Sequence, residues 1–184
     1  MNYKILIVVA LIGGALGYSL YSKKSLEAQL AQESDQLLTQ LPLVQFETLE
    51  NAPYLTADLI KTAPKGIFVH FWATWCGPCE AELPELLEFI NLRGEGVTFL
   101  IIAVNDELPK IRKFMAGLKM KPNERRVVWL LDNGSIHRNS FGTMKLPETF
   151  LFKADGSILR RLVGPQEWLK PQFSNMFQPL NSAN

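Results

Sequence analysis

Two near-continuous apolar runs, GIFVHFW (66–72) and GVTFLIIAV (96–104), do most to limit how this chain can fold. Both are strand-length, and neither contains a carboxylate, lysine or arginine. A strand that is apolar at every position, rather than at every second one, needs cover on both faces. Between the two runs, the stretch from Pro78 to about Leu92 places Leu83, Leu86, Leu87 and Ile90 on one helical face. Strand, helix and strand in that order make a βαβ unit with a buried central sheet. The alternation continues with a helix near Leu108 to Leu118 and a strand at VVWLL (127–131). LVQFETL (43–49) is an extended candidate, and ETFLFKADGSILRRLV (148–163) reads as a hairpin turning at Ala154-Asp155-Gly156. A last helix is expected near Gln166, carrying Trp168 and Leu169. The predicted class is α/β with a mixed sheet, since the closing hairpin adds antiparallel strands.

Composition narrows the function. In 184 residues, 47% are hydrophobic and 20% charged, which suits a globular chain with a real core. The net charge of +1 leaves no electrostatic footprint for nucleic acid, and none is expected as a partner. The only cysteines are Cys76 and Cys79, within HFWATWCGPCE (70–80). Two thiols exclude a four-thiolate zinc site, and His70 and His137 stand at spacings far from the zinc-finger patterns, so no metal site is expected. Glu80 follows Cys79 where attachment of a c-type haem would need a histidine. A redox pair is the remaining use, with no cofactor beyond a Cys76–Cys79 disulfide.

The N-terminus holds an uncharged run from Ile5 to Tyr21, roughly 25 Å long if helical. Tyr18 and Tyr21 suit an interfacial belt, with Lys23 and Lys24 after them. The expectation is an N-terminal membrane anchor over 1–22. A cleavable signal peptide ending near Ala15-Leu16-Gly17 is the competing reading. A stalk over 23–41 and a catalytic domain over 42–184 would follow.

The apolar strand ends just before the cysteines and a helix starts at about Gly77-Pro78, which puts Cys76 at a helix N-terminus. Unpaired backbone N–H groups and the helix dipole favour a thiolate there. Cys79, one turn further in, is expected to be more buried. Cys76 would therefore attack a partner disulfide and Cys79 would resolve the mixed disulfide.

FVHFWATWCGPC (68–79) resembles the thioredoxin superfamily. WCGPCEAELP (75–84) and KLPETFLFKADGSI (145–158) narrow the resemblance to the TlpA-like thiol-disulfide oxidoreductases, including the ResA and DsbE proteins, over about Leu43 to Trp168. The resemblance implies a thioredoxin-like three-layer fold, a central mixed sheet flanked by helices, with an N-terminal transmembrane or signal helix. It implies a cis Pro147 facing Cys76, with Leu146 offering backbone hydrogen bonds to an extended substrate. It implies that Glu82 tunes the cysteines and that Trp75, beside Gly77 and Pro78, forms part of the docking surface. Gly77-Pro78 is the pair found in reducing thioredoxins, whose potentials lie near ~ −270 mV against ~ −120 mV for the oxidant DsbA.

By that resemblance the chain would be a protein-disulfide reductase of the bacterial inner membrane, single-pass, its catalytic domain facing the periplasm or cell exterior. A membrane electron donor of the thiol-reducing type would supply it. Its substrates would be disulfide-containing proteins, apocytochrome c among them, since Leu-Pro-Glu-Thr-Phe (146–150) resembles the DsbE version of that segment. The alternative is a copper-binding chaperone on the same fold, with His137 as a third ligand to Cu(I). His70 departs from the family pattern, which usually has Asp or Asn there. By alternation it shares a face with Phe68 and Trp72, beneath the cysteines. Two roles stand open for it: a proton acceptor for Cys79 that titrates in the useful range, or a neutral histidine held by hydrogen bonding. His137, in the loop-like SIHRNSFG stretch, is expected to be exposed.

Overall fold

Seven strands form one sheet in the order β2-β1-β5-β4-β3-β6-β7. The computed structural model describes Tyr18 and residues 38–62, 65–93, 95–118 and 127–177. The chain divides into two compact units, Met1–Leu37 and Leu38–Asn184, and the fold is that of the second. Its strands are β1 (Gln45–Thr48), β2 (Pro53–Leu55), β3 (Gly66–Trp72), β4 (Val97–Val104), β5 (Val127–Asp132), β6 (Glu148–Lys153) and β7 (Ile158–Val163). Its helices are α1 (Leu59–Thr62), α2 (Gly77–Arg93), α3 (Leu108–Gly117) and α4 (Ile136–Phe141). β3, β4 and β5 pair in parallel, whereas β6 and β7 on one side and β1 and β2 on the other pair antiparallel.

All seven residues of β3 are buried, and period-2 alternation divides them between two cores. Phe68 and Trp72 join Leu83, Leu86, Leu87 and Ile90 of α2 and Ile111 of α3 on one face. Ile67, Val69 and Phe71 pack with Leu59 of α1 and Phe141 of α4 on the other. β4 divides in the same way, Phe99 and Ile101 to the first core, Leu100 and Ile102 to the second. Each such side chain, fully buried, contributes roughly 1.5–3 kcal/mol of transfer free energy. Two covered faces make the three-layer, thioredoxin-like arrangement.

Four expectations need revision. No helix among the described residues is long and apolar enough to cross a membrane. The longest, α2, has 17 residues and carries Glu80, Glu82, Glu85, Glu88 and Arg93. An N-terminal transmembrane or signal helix is thus not found among the described residues. The inner-membrane, single-pass placement facing the periplasm or exterior, the membrane attachment and the membrane electron donor lose their support with it. Residues 1–22, on which that expectation was built, lie outside the described residues except Tyr18, which is helical and exposed. Secondly, the end of the expected stalk is pinned to the sheet: Ile158 N–H donates to the Thr39 carbonyl at 2.9 Å, and Leu41 N–H to Gly156 at 2.8 Å. Thirdly, the final α-helix is replaced by turns and a 3₁₀ segment at Pro171–Phe173. Pro171 withholds an N–H that a helix starting near Gln166 needs in its second turn. Trp168 is nonetheless fully buried, with its ring 5.6 Å from those of Phe68 and Phe89. Fourthly, the SIHRNSFG stretch is not a loop, because Ile136–Phe141 is helical.

Candidate active site

β3 ends at Trp72 and four residues, Ala73 to Cys76, carry the chain into α2. The N–H groups of Cys79 and Glu80 donate to the Cys76 carbonyl at 2.9 and 3.1 Å, so Cys76 stands at the cap position of α2. Cys76 and Cys79 form a disulfide, S–S 2.06 Å. Cys76 keeps 8% of its surface exposed and Cys79 none, so an incoming group can reach only the first sulfur. Gly77 and Pro78 beside it are exposed, and a Cβ on Gly77 would meet nothing within 4 Å.

The approach loop is tied to the turn after β4. Asp106 accepts the Thr74 N–H at 2.6 Å and the Thr74 hydroxyl at 2.8 Å. The exposed indole of Trp75 donates to the Asn105 carbonyl at 3.1 Å. Opposite lies the segment before β6, where the Leu146–Pro147 peptide bond is cis. The cleft between them is lined by Trp75, Cys76, Asn105, His137, Met144 and Leu146, among others. Pro147 itself is buried, and its carbonyl accepts the Gly164 N–H at 2.9 Å, so the cleft meets Leu146 rather than the proline ring. Trp75 and Met144 are 61% and 71% exposed, which makes the cleft rim apolar.

Glu82 lies one turn after Cys79 on the same helical face. It is buried, accepting the Trp168 indole N–H at 2.8 Å and the Gln166 N–H at 3.1 Å. Burial pushes its carboxyl up to about 7, against the pull of those two donors. That is the range in which a carboxyl can both give and take a proton at neutral pH.

His70 is wholly buried, its Nδ1 2.9 Å from the Thr149 hydroxyl, across the β3–β6 pairing. Burial alone lowers its pKa to about 3. Of the two roles open for it, this accords with the neutral histidine, because nothing charged offsets the desolvation. Its Nε2 has no hydrogen-bond partner among the described residues.

His137 differs most from expectation. It is buried rather than exposed, it lines the cleft with Cys76, and its Nδ1 lies 2.6 Å from Asp132 Oδ2. Asp132 also accepts the N–H groups of Gly134, Ile136 and His137, and so starts α4 from the end of β5. The signal was present as Asp132-Asn133-Gly134-Ser135, turn formers ahead of a helix. Asp106 and Trp168 gave no comparable signal, since their partners are 32 and 86 residues away. Among the described residues no group of three His, Cys, Asp or Glu is placed to hold a metal ion.

Comparison with known proteins agrees with this chemistry. The chain matches the Redoxin family over residues 39–179. It is 27% identical over 163 residues to the thiol-disulfide oxidoreductase ResA of Bacillus thuringiensis strain Al Hakam, covering 87% of this chain and 86% of that one. It is 34% identical over 125 residues to the thiol:disulfide interchange protein HelX of Rhodobacter capsulatus, covering 67% and 66%. Among solved structures, a thioredoxin-family thiol:disulfide interchange protein from Chlorobium tepidum superposes with a TM-score of 0.59 at 26% identity, over 76% of this chain and 95% of that one. A secreted Mycobacterium tuberculosis disulfide oxidoreductase, homologous to E. coli DsbE, shares the fold with a TM-score of 0.58 at 20% identity, over 77% and 96%. With a catalytic cysteine pair at the start of α2 and that family match, the chain belongs to the Redoxin family, as a thioredoxin-superfamily thiol-disulfide oxidoreductase related to the ResA, DsbE and TlpA types.

Proposed function

We propose that the reduced chain is a reductant of protein disulfides. The observation that carries this is Cys76, which keeps 8% of its surface exposed at the N-terminus of α2 and lines a cleft of mixed polar and apolar character. The helix N-terminus favours its thiolate, which attacks one sulfur of the substrate disulfide and forms a mixed disulfide. Buried Cys79 then attacks Cys76 Sγ, releasing the second substrate thiol and closing the Cys76–Cys79 bond. Glu82, titrating near neutrality one turn from Cys79, takes the Cys79 proton as that thiol becomes the nucleophile. His70, held neutral, keeps the base of the site dry and uncharged. Trp75, Gly77, Pro78 and Leu146 receive the substrate backbone, and Pro147 shapes the turn that presents Leu146.

A narrower role in cytochrome c maturation, with apocytochrome c as the oxidised substrate, is supported by the likeness of Leu146-Pro147-Glu148-Thr149-Phe150 to the DsbE segment. Cys79→Ser in the native cell is the direct test. It should accumulate Cys76 in mixed disulfides that dithiothreitol dissolves, and mass spectrometry of the adduct names the substrate. Absence of any adduct would overturn the exchange role.

A further inference from the structure

His137 and Asp132 take no part in the exchange steps above, yet they stand at the same cleft. Asp132 has no exposed side-chain surface, and its Oδ2 accepts both the ring Nδ1–H and the backbone N–H of His137 at 2.6 Å. A buried carboxylate on one ring nitrogen fixes the tautomer and stabilises the imidazolium. With Nδ1 engaged by Asp132, Nε2 is the ring nitrogen that carboxylate does not hold, and His137 lines the same cleft as Cys76. His137 keeps only 7% of its side chain exposed, so it lies in the cleft floor rather than on the rim. The charged groups around it are Asp132 from β5, Arg138 on its own helix and Lys145 from the segment before Pro147. Arg138 and Lys145 line the cleft too.

We propose that His137, oriented by Asp132, protonates the thiolate that leaves a substrate when Cys76 attacks its disulfide. The proposal rests on the reductase reading. In the step, the Cys76–sulfur bond forms, the substrate S–S bond breaks, and its electron pair departs on the leaving sulfur. The imidazolium Nε2–H passes its proton to that sulfur, giving a neutral thiol, and the imidazole is recharged from solvent. Cys76 and Cys79 supply the two electrons, so no further reductant enters. Cys76 is then the nucleophile, His137 the general acid and Asp132 a positioning residue.

The test varies how much the leaving thiolate needs a proton. The reduced full-length chain and its His137→Gln variant are mixed with two disulfides. One releases thionitrobenzoate, a weakly basic aryl thiolate, and the other is hydroxyethyl disulfide, whose alkyl thiol ionises near ~8.5 or above. His137→Asn, which keeps a side-chain N–H for Asp132, is measured alongside. Both variants should match the parent on the aryl disulfide within about twofold, which also reports an intact fold, and fall roughly 100-fold behind on the alkyl one. Equal slowing on both disulfides, or none on the alkyl one, overturns the role of His137. A parent chain that reduces neither disulfide would count against the reductase reading itself.

Discussion

Glu82, one turn from Cys79, and His70, in the strand before the cysteine pair, are both buried, and burial moves each toward its neutral form. For Glu82 that is a raised pKa, from 4.5 to about 7. The native state keeps a proton that the unfolded chain has released, so this group makes stability fall as pH rises from about 4.5 to 7. For His70 the pKa is lowered, from 6.5 to about 3. The unfolded chain then binds a proton the native state refuses, and stability is lost as pH falls from about 6.5 toward 3. Urea midpoints measured across that range separate the two. Glu82→Gln should steepen the net rise of stability with pH, and His70→Asn should flatten it. A slope untouched by Glu82→Gln would mean its carboxyl titrates normally. Here the sequence reached the right residues but not their charge states. His70 was legible as inward-facing from alternation alone, whereas its pKa depends on the absence of any countercharge around it, which is a property of packed neighbours.

At the scale of elements, the site is an agreement between three loops. The turn into α2, the turn after β4 and the segment before β6 converge at the carboxyl ends of parallel β3 and β4, where open α/β sheets place their sites. Asp106 binds the first two together through three donors: Thr74 N–H, Thr74 hydroxyl and its neighbour Glu107 N–H. Asp106→Ala leaves those donors without their acceptor and should cost on the order of 3 kcal/mol in urea unfolding, with an unchanged m-value. The same variant should slow exchange at Cys76, because Trp75 and Cys76 follow Thr74 directly. A loss of less than about 0.5 kcal/mol would show that the loop holds its place without this carboxylate. α2 and the β6–β7 hairpin were readable from period and turn chemistry. α4 was signalled only by the turn formers before it, since six residues give too little periodicity and its start is set by a side chain from the preceding strand.

Over the whole molecule, the sheet is most protected at its middle. β3 lies between β4 and β6 with both faces covered, while β2 and β7 form the edges. β7 exposes Arg160 at this edge, a charge that discourages pairing with another chain. Amide hydrogen exchange should therefore be slowest in β3 and β4, at the free energy of global unfolding, and several orders of magnitude faster in β2. Equal protection of β2 and β3 would contradict this layering. The sequence by itself determined the α/β alternation, the buried strands and the cysteine pair at a helix start, because each is written in local spacing of one to twenty residues. Tertiary structure alone decided which groups surround that pair. Asp106 meets Thr74, Trp168 caps Glu82, and His137 swings from an expected loop into the cleft beside Cys76, since side chains far apart in sequence meet only once the sheet has ordered its strands.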